Sequence, residues 1–158
     1  MKSTIDKVAE FHEMTGQPIL NAPAIPSTQR WALRIRLIQE ELNELAVAFD
    51  EGNLVEVADA LTDLQYVLDG TYLECGMKDI KGPLFDEVQR SNMSKSCTKE
   101  TITNELYNKR NEGIDCTWSE RNGHYMIVRH YDGKILKPST YSPADLASIV
   151  AGKVLAGA

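Results

Sequence analysis

The sequence is poor in cysteine, with only Cys75, Cys97 and Cys116. They form neither a CxxC pair nor a zinc-ligand spacing, which argues against a disulfide framework or a zinc finger. Reduced structural thiols in a cytoplasmic protein are the expectation. No apolar run approaches the roughly 18 residues of a membrane span, and the segment MKSTIDKVAEF has no apolar signal core, so neither a membrane partner nor export is expected. Cations are in the minority, 17 Lys and Arg against 23 Asp and Glu, for a net charge of −6. Duplex or single-stranded nucleic acid is therefore a poor partner, because neutralising phosphates takes clustered cations. No Lys stands between Lys7 and Lys78. There is also no internal repeat, no low-complexity tract and no DxDx[TV] nucleophile motif of the haloacid-dehalogenase type. What remains is a chain of 158 residues with 42% hydrophobic residues, enough to bury a core without staples.

Hydrophobic periodicity predicts a mainly α fold. Ile5, Val8, Phe11 and Met14 recur at helical spacing over residues 3–15, and Gly16 ends that run. Pro18, Pro23 and Pro26 then impose an ordered loop. Residues 28–49 carry a heptad-like stripe of Trp31, Ile35, Ile38, Leu42, Leu45 and Phe49 behind Ser27 as N-cap, with Trp31 expected in the core. Asp50 to Asn53 break the helix, and a second long helix follows over about 54–74, closed by Gly76. So short a connection makes these two helices antiparallel neighbours.

A turn at Gly82-Pro83 is expected to precede a shorter helix over 84–92. Within residues 96–123, TKETITNELYNKR has the composition of one exposed helix. HYMIVRHYDGKILKP reads as a β-hairpin turning at Asp132-Gly133, and Ser142-Pro143 should start a last helix over 143–152. The expected organisation is one domain, 1–158: a helical core over 1–95, an irregular extension with a small hairpin over 96–140, and the C-terminal helix.

The chemistry lies on the two long helices. The first carries Glu40, Glu41 and Glu44; the second carries Glu56, Asp59 and Asp63, whose spacings of three and four put them on one face. With the turn centred between Glu51 and Gly52, Glu44 lies level with Asp59 and Glu40 with Asp63. Carboxylates meeting at such a seam repel unless cations sit among them, and hard oxygen donors suit Mg²⁺ or Mn²⁺. A solvated or dimer-facing acidic surface is the competing reading of the same spacing. Nearby lysines at helical spacing, which usually explain an acidic stripe, are absent.

EELNE followed by EVADALTD resembles the all-α nucleoside triphosphate pyrophosphohydrolases, the superfamily of MazG, phosphoribosyl-ATP pyrophosphohydrolase and the dimeric dUTPases. VAEFHEMTGQPI, VADALTDLQYVLDGT, FDEVQRSNMSK and DGKILKPSTYSPADL extend the resemblance over about 1–95 and 131–146. It implies an antiparallel helical bundle that hydrolyses a nucleoside triphosphate between the α and β phosphorus atoms, giving a monophosphate and pyrophosphate; dUTP and non-standard nucleotides are among the implied substrates. It implies Mg²⁺ or Mn²⁺ held by Glu41, Glu44, Glu56, Asp59 and Asp63, with Glu40 as general base. The superfamily's ExxD pair fits Glu56 and Asp59 directly, while a second register, one turn on, uses Asp63 and replaces the Glu with Ala60. Arg90, Asn92 and Lys95 are implied at the nucleotide, and Arg34, on the acidic side of the first helix, is a candidate phosphate contact. Lys134 and Lys137 read first as solvated turn residues. A homodimer or tetramer is implied as well. The alternative is a non-catalytic helical module that binds nucleotide or metal.

Overall fold

The computed structural model describes residues 2–156. Their elements run α1 (Thr4–Thr15), α2 (Thr28–Asp50), α3 (Leu54–Glu74), a 3-10 turn (Lys78–Ile80), α4 (Lys81–Met93), α5 (Ile102–Asn111), β1 (Cys116–Arg121), β2 (His124–Arg129) and α6 (Leu146–Ala156). The fold is mainly α with one small antiparallel hairpin, as the sequence predicts. The described residues divide into two compact units, 2–81 with 147–156, and 82–146.

In the first unit α1 opens with a capping box: Ser3 accepts from the Asp6 N–H and Asp6 reaches back to the Ser3 N–H, satisfying two donors that a helix start leaves orphaned. Gly16, at φ 67°, ends it. Ile5, Val8 and Ala9 pack with Leu73, and Ile19 and Tyr72 flank that core. α2 and α3 form the antiparallel hairpin, turned by Gly52 at φ 66° and started again by Asn53, whose side chain accepts from the Val55 and Glu56 N–H groups. Ser27 makes no capping bond with its side chain. The proline-rich loop is held on the end of α3, with the Leu20 N–H donating to Leu73 O and the Ala24 N–H to Cys75 O. Gly76 permits that approach: a Cβ there would lie 1.9 Å from the Ala22 carbonyl oxygen.

The expected core stripe of α2 is largely on the surface. Trp31 is 46% exposed and Ile35 60%. Leu42 and Phe49 on α2, and Leu61 and Leu68 on α3, are exposed with them. The buried residues of α2 are instead Arg34 and Ala48. A long apolar stripe announces a helix that needs covering, and here one chain leaves it open.

The second unit has its own core of Cys97, Ile102, Cys116 and Ile127, with Leu106, Ile114, Tyr125 and Leu136 against it. The hairpin is displaced from its expected position. β1 pairs with β2 from Cys116↔Arg129 to Arg121↔His124, so the turn is Asn122-Gly123, both at positive φ (53° and 79°) as a two-residue primed turn requires. Asp132-Gly133 closes a separate small turn, in which the Arg129 N–H donates to Lys134 O. Gly82 and Pro83 do not precede a helix but sit in the first turn of α4, where a missing N–H costs nothing. Ser142 is no N-cap either, because α6 starts at Leu146; its N–H donates to Ser94 Oγ and its hydroxyl accepts from Arg90.

Candidate active site

The hairpin of α2 and α3 brings the carboxylates to one seam. Glu41 is half-buried, and its Oε2 is shut away from solvent with no hydrogen-bond partner. Its carboxyl titrates above the ordinary range, first because burial disfavours the charge and then because Glu44, Asp63, Glu40 and Asp59 add theirs. The field at Glu41 thus comes from both helices. Glu44 and Glu56 line one cleft of about 470 Å³ next to the helix turn, with Glu51 and Asn53. Glu40, Glu44, Glu56 and Asp59 are exposed, and Asp63 is half-buried.

A divalent cation can be tested against this arrangement. The donors are all hard carboxylate oxygens on the two helices, and the orphaned Glu41 oxygen lies in a field of like charges that a bound cation or a proton would relieve. Among the described residues, no three His, Cys, Asp or Glu side chains are gathered closely enough to hold a metal as they stand. The donor chemistry suits a hard cation, and gathering these carboxylates about one ion would take side-chain rotation.

Arg34 serves a different purpose from the one its spacing suggested. It is only 5% exposed, and its guanidinium is spent on Glu74, with Nε 2.7 Å from Oε1, and on Gln17 Oε1 at 2.8 Å. Arg30 donates to the same Glu74, its Nε 2.9 Å from Oε2. Burial drives the Glu74 carboxyl up, but the hydrogen bonds from Arg30 and Arg34 outweigh it and hold the carboxyl below its ordinary range. His12 completes the cluster: Nδ1 lies 3.0 Å from Pro18 O and Nε2 lies 3.1 Å from Arg34 Nη2. A ring that donates from Nδ1 and accepts at Nε2 is neutral, and burial lowers its pKa. Sequence reasoning did not assign Glu74 or Gln17. The signal for Glu74 was available, because the depth matching that pairs Glu44 with Asp59 sets Glu74 level with Gln29, next to Arg30.

Arg90, Asn92 and Lys95 belong to the second unit. Arg90 forms an ion pair with Glu87, its Nε 2.8 Å from Oε2, and donates to Ser142 Oγ and Pro143 O. Lys95 donates to Asn92 Oδ1 at 2.8 Å.

The site's frame is an antiparallel helical hairpin that carries acidic side chains on both helices. Residues 8–92, more than half of the chain, match the family model described as phosphoribosyl-ATP pyrophosphohydrolase. The chain belongs to that family, and through it to the MazG-like all-α superfamily, whose members are hydrolases of phosphoanhydride bonds. Among curated proteins it is 38% identical over 82 residues to "Uncharacterized protein L479" of Acanthamoeba polyphaga mimivirus, across 49% of this chain and 33% of that protein. The match therefore spans about a third of the relative's length. No described helix is long and apolar enough to cross a membrane.

Proposed function

We propose that this chain is a divalent-metal-dependent nucleoside triphosphate pyrophosphohydrolase, cleaving between the α and β phosphorus atoms to release a monophosphate and pyrophosphate. The observation that carries the reading is the buried, partnerless Glu41 oxygen in the joint field of Glu40, Glu44, Asp59 and Asp63. Glu41, Glu44, Glu56, Asp59 and Asp63 would hold Mg²⁺, with Mn²⁺ the second choice. Bound there, the cation supplies charge neutralisation for a polyphosphate that the acidic seam would otherwise repel, and it acidifies the attacking water. Glu40, exposed on the same helix as Glu41, would take the proton from the attacking water as general base. Arg90, Asn92 and Lys95 would bind the nucleotide; Arg34 supports the hairpin instead. dUTP and non-standard nucleotides head the candidate substrates.

The site belongs to a symmetric assembly in this reading. The exposed stripe of Trp31, Ile35 and Leu42 is an apolar face of the kind a second copy covers, as in the bundles of this superfamily. A panel of nucleoside triphosphates with Mg²⁺ tests the reading. Turnover that Asp59→Asn abolishes supports it and favours the Glu56–Asp59 register; loss with Asp63→Asn alone favours the other. No turnover of any nucleotide would leave a non-catalytic binding module.

A further inference from the structure

Helix α4 carries a polar face, and the chain folds back onto it. Glu87, Arg90, Ser91 and Ser94 follow at helical spacing, which puts them on one side. Each of them holds part of segment 141–145, and the helix face and the segment belong to the same unit. The Ser91 hydroxyl meets the Tyr141 hydroxyl at 3.0 Å. The Ser142 N–H donates to Ser94 Oγ at 2.9 Å, and the Asp145 N–H to Glu87 Oε1 at 2.7 Å. Arg90 donates to Ser142 Oγ and to Pro143 O, each at 2.9 Å. Tyr141 and Ser142 are half-buried, while Pro143 and Asp145 are exposed. A segment fastened by polar bonds at the surface opens at a lower free-energy cost than a packed core element.

The Arg90 guanidinium is used on two sides. Its side-on fork, Nε with Nη2, holds the Glu87 carboxylate in a bidentate pair, each nitrogen 2.8 Å from an oxygen. The hydrogen bond from Arg90, and after it the one from the Asp145 N–H, hold that carboxyl's pKa down at about 2. Glu87 therefore stays ionised and engaged at neutral pH. The end-on fork, Nη1 with Nη2, faces Ser142 Oγ and Pro143 O. Two oxygens on one guanidinium fork is also the arrangement in which arginine takes a phosphate. The segment's oxygens are neutral, one a hydroxyl and one a carbonyl. Those of a phosphoryl group are charged, and hydrogen bonds to them are roughly twice as strong. In the free chain the fork is thus filled by a weaker acceptor pair of the chain's own.

We propose that segment 141–145 is a self-inhibitory strap: the Ser142 and Pro143 oxygens occupy the fork of Arg90 that a nucleotide phosphate takes, and nucleotide binding lifts the strap away. The proposal rests on the reading that Arg90 binds the nucleotide, and it adds the regulation of that contact. Glu87 stays in place, because it lies on the same helix and keeps the guanidinium oriented. The apparent affinity is then the intrinsic affinity reduced by the fraction of molecules whose strap is lifted. Loosening the strap tightens binding, whereas loosening a mere brace would weaken it.

Amide hydrogen exchange of the full chain, read by NMR, follows the strap directly. The probes are the α,β-methylene analogues of dUTP, dCTP and ATP in Mg²⁺, which bind without turnover, with calorimetry to measure their affinity. The Ser142 and Asp145 amides should be protected in the free chain and should exchange roughly tenfold faster or more once an analogue saturates it. Ser94→Ala combined with Ser142→Ala removes two fastenings. It should tighten analogue binding by roughly threefold to tenfold and lower KM with kcat unchanged. Ser142→Thr, which keeps the hydroxyl, should bind as the unaltered chain does. Weaker binding by the double variant, or strap amides whose exchange is unchanged or slowed in the bound chain, overturns the proposal and leaves the hydrolysis reading intact. Faster strap exchange on binding, with no turnover of the parent nucleotides, supports the strap and counts against hydrolysis alone. If no analogue binds, the strap falls together with the assignment of Arg90 to the nucleotide.

Discussion

Arg34 and Glu74, forty positions apart in sequence, meet as a buried ion pair that joins the start of α2 to the end of α3. The pair closes the open end of the hairpin, while the carboxylate seam lies between it and the turn. Removing one partner of a buried pair leaves the other charge uncompensated, at a cost of roughly 3–5 kcal/mol. Glu74→Gln should therefore lower the unfolding free energy by about that amount in urea titrations. Arg30→Ala should cost about 1 kcal/mol, because Arg30 is partly solvated and Arg34 still satisfies the carboxylate.

Gly70 is the position that admits this cluster. A Cβ there would come within 2.8 Å of Arg34 Nη1 and 3.0 Å of His12 Nε2. Both side chains are held by hydrogen bonds and cannot swing aside freely. Gly70→Ala should destabilise the chain by about 1–3 kcal/mol despite the better helix propensity of alanine, measured by the same titrations.

The cluster also sets a pH dependence. His12 is buried neutral, and its folded pKa lies below the ordinary histidine value. The unfolded chain therefore takes up the proton first as pH falls. Stability is full above about pH 6.5, the unfolded value, and declines as pH drops towards the lower folded value. A urea midpoint that falls on acidification below that point, and falls less in His12→Gln, is the expected outcome.

Helices α1 to α3 were legible because each has a strong period and glycine at Gly16, Gly52 and Gly76 to end or turn it. The pairing of α2 with α3 followed from the shortness of the turn. Other features were hidden for identifiable reasons. Arg34 shares a helix side with the acids, and spacing assigns a side but not a partner. The strand Cys116–Arg121 is rich in polar residues and becomes a strand only by pairing with His124–Arg129. Two dipeptides, Asn122-Gly123 and Asp132-Gly133, carry equally good turn chemistry, and the strand that pairs decides between them. Trp31 sits on an apolar stripe, and periodicity alone does not say whether its own chain buries that stripe.

Glu41 lets stability and the proposed metal binding be tested apart. Its carboxyl has a raised folded pKa, so ionised at neutral pH it works against folding, and its favourable contribution is confined to acid solution. In EDTA, Glu41→Gln should melt at a higher temperature than the unaltered chain. Adding Mn²⁺ should raise the melting temperature of the unaltered chain more than that of the variant. Equal responses to Mn²⁺ would remove Glu41 from the metal set.

In the proposed function the α2–α3 carboxylates direct cleavage of a phosphoanhydride to pyrophosphate. The most direct measurement is ³¹P NMR of the products formed from a nucleoside triphosphate in Mg²⁺. Pyrophosphate and monophosphate should form in equal amounts, and both should be lost in EDTA and in Glu44→Gln while the variant remains folded. Orthophosphate as the sole phosphorus product beside a diphosphate, or undiminished pyrophosphate release by Glu44→Gln, would contradict it.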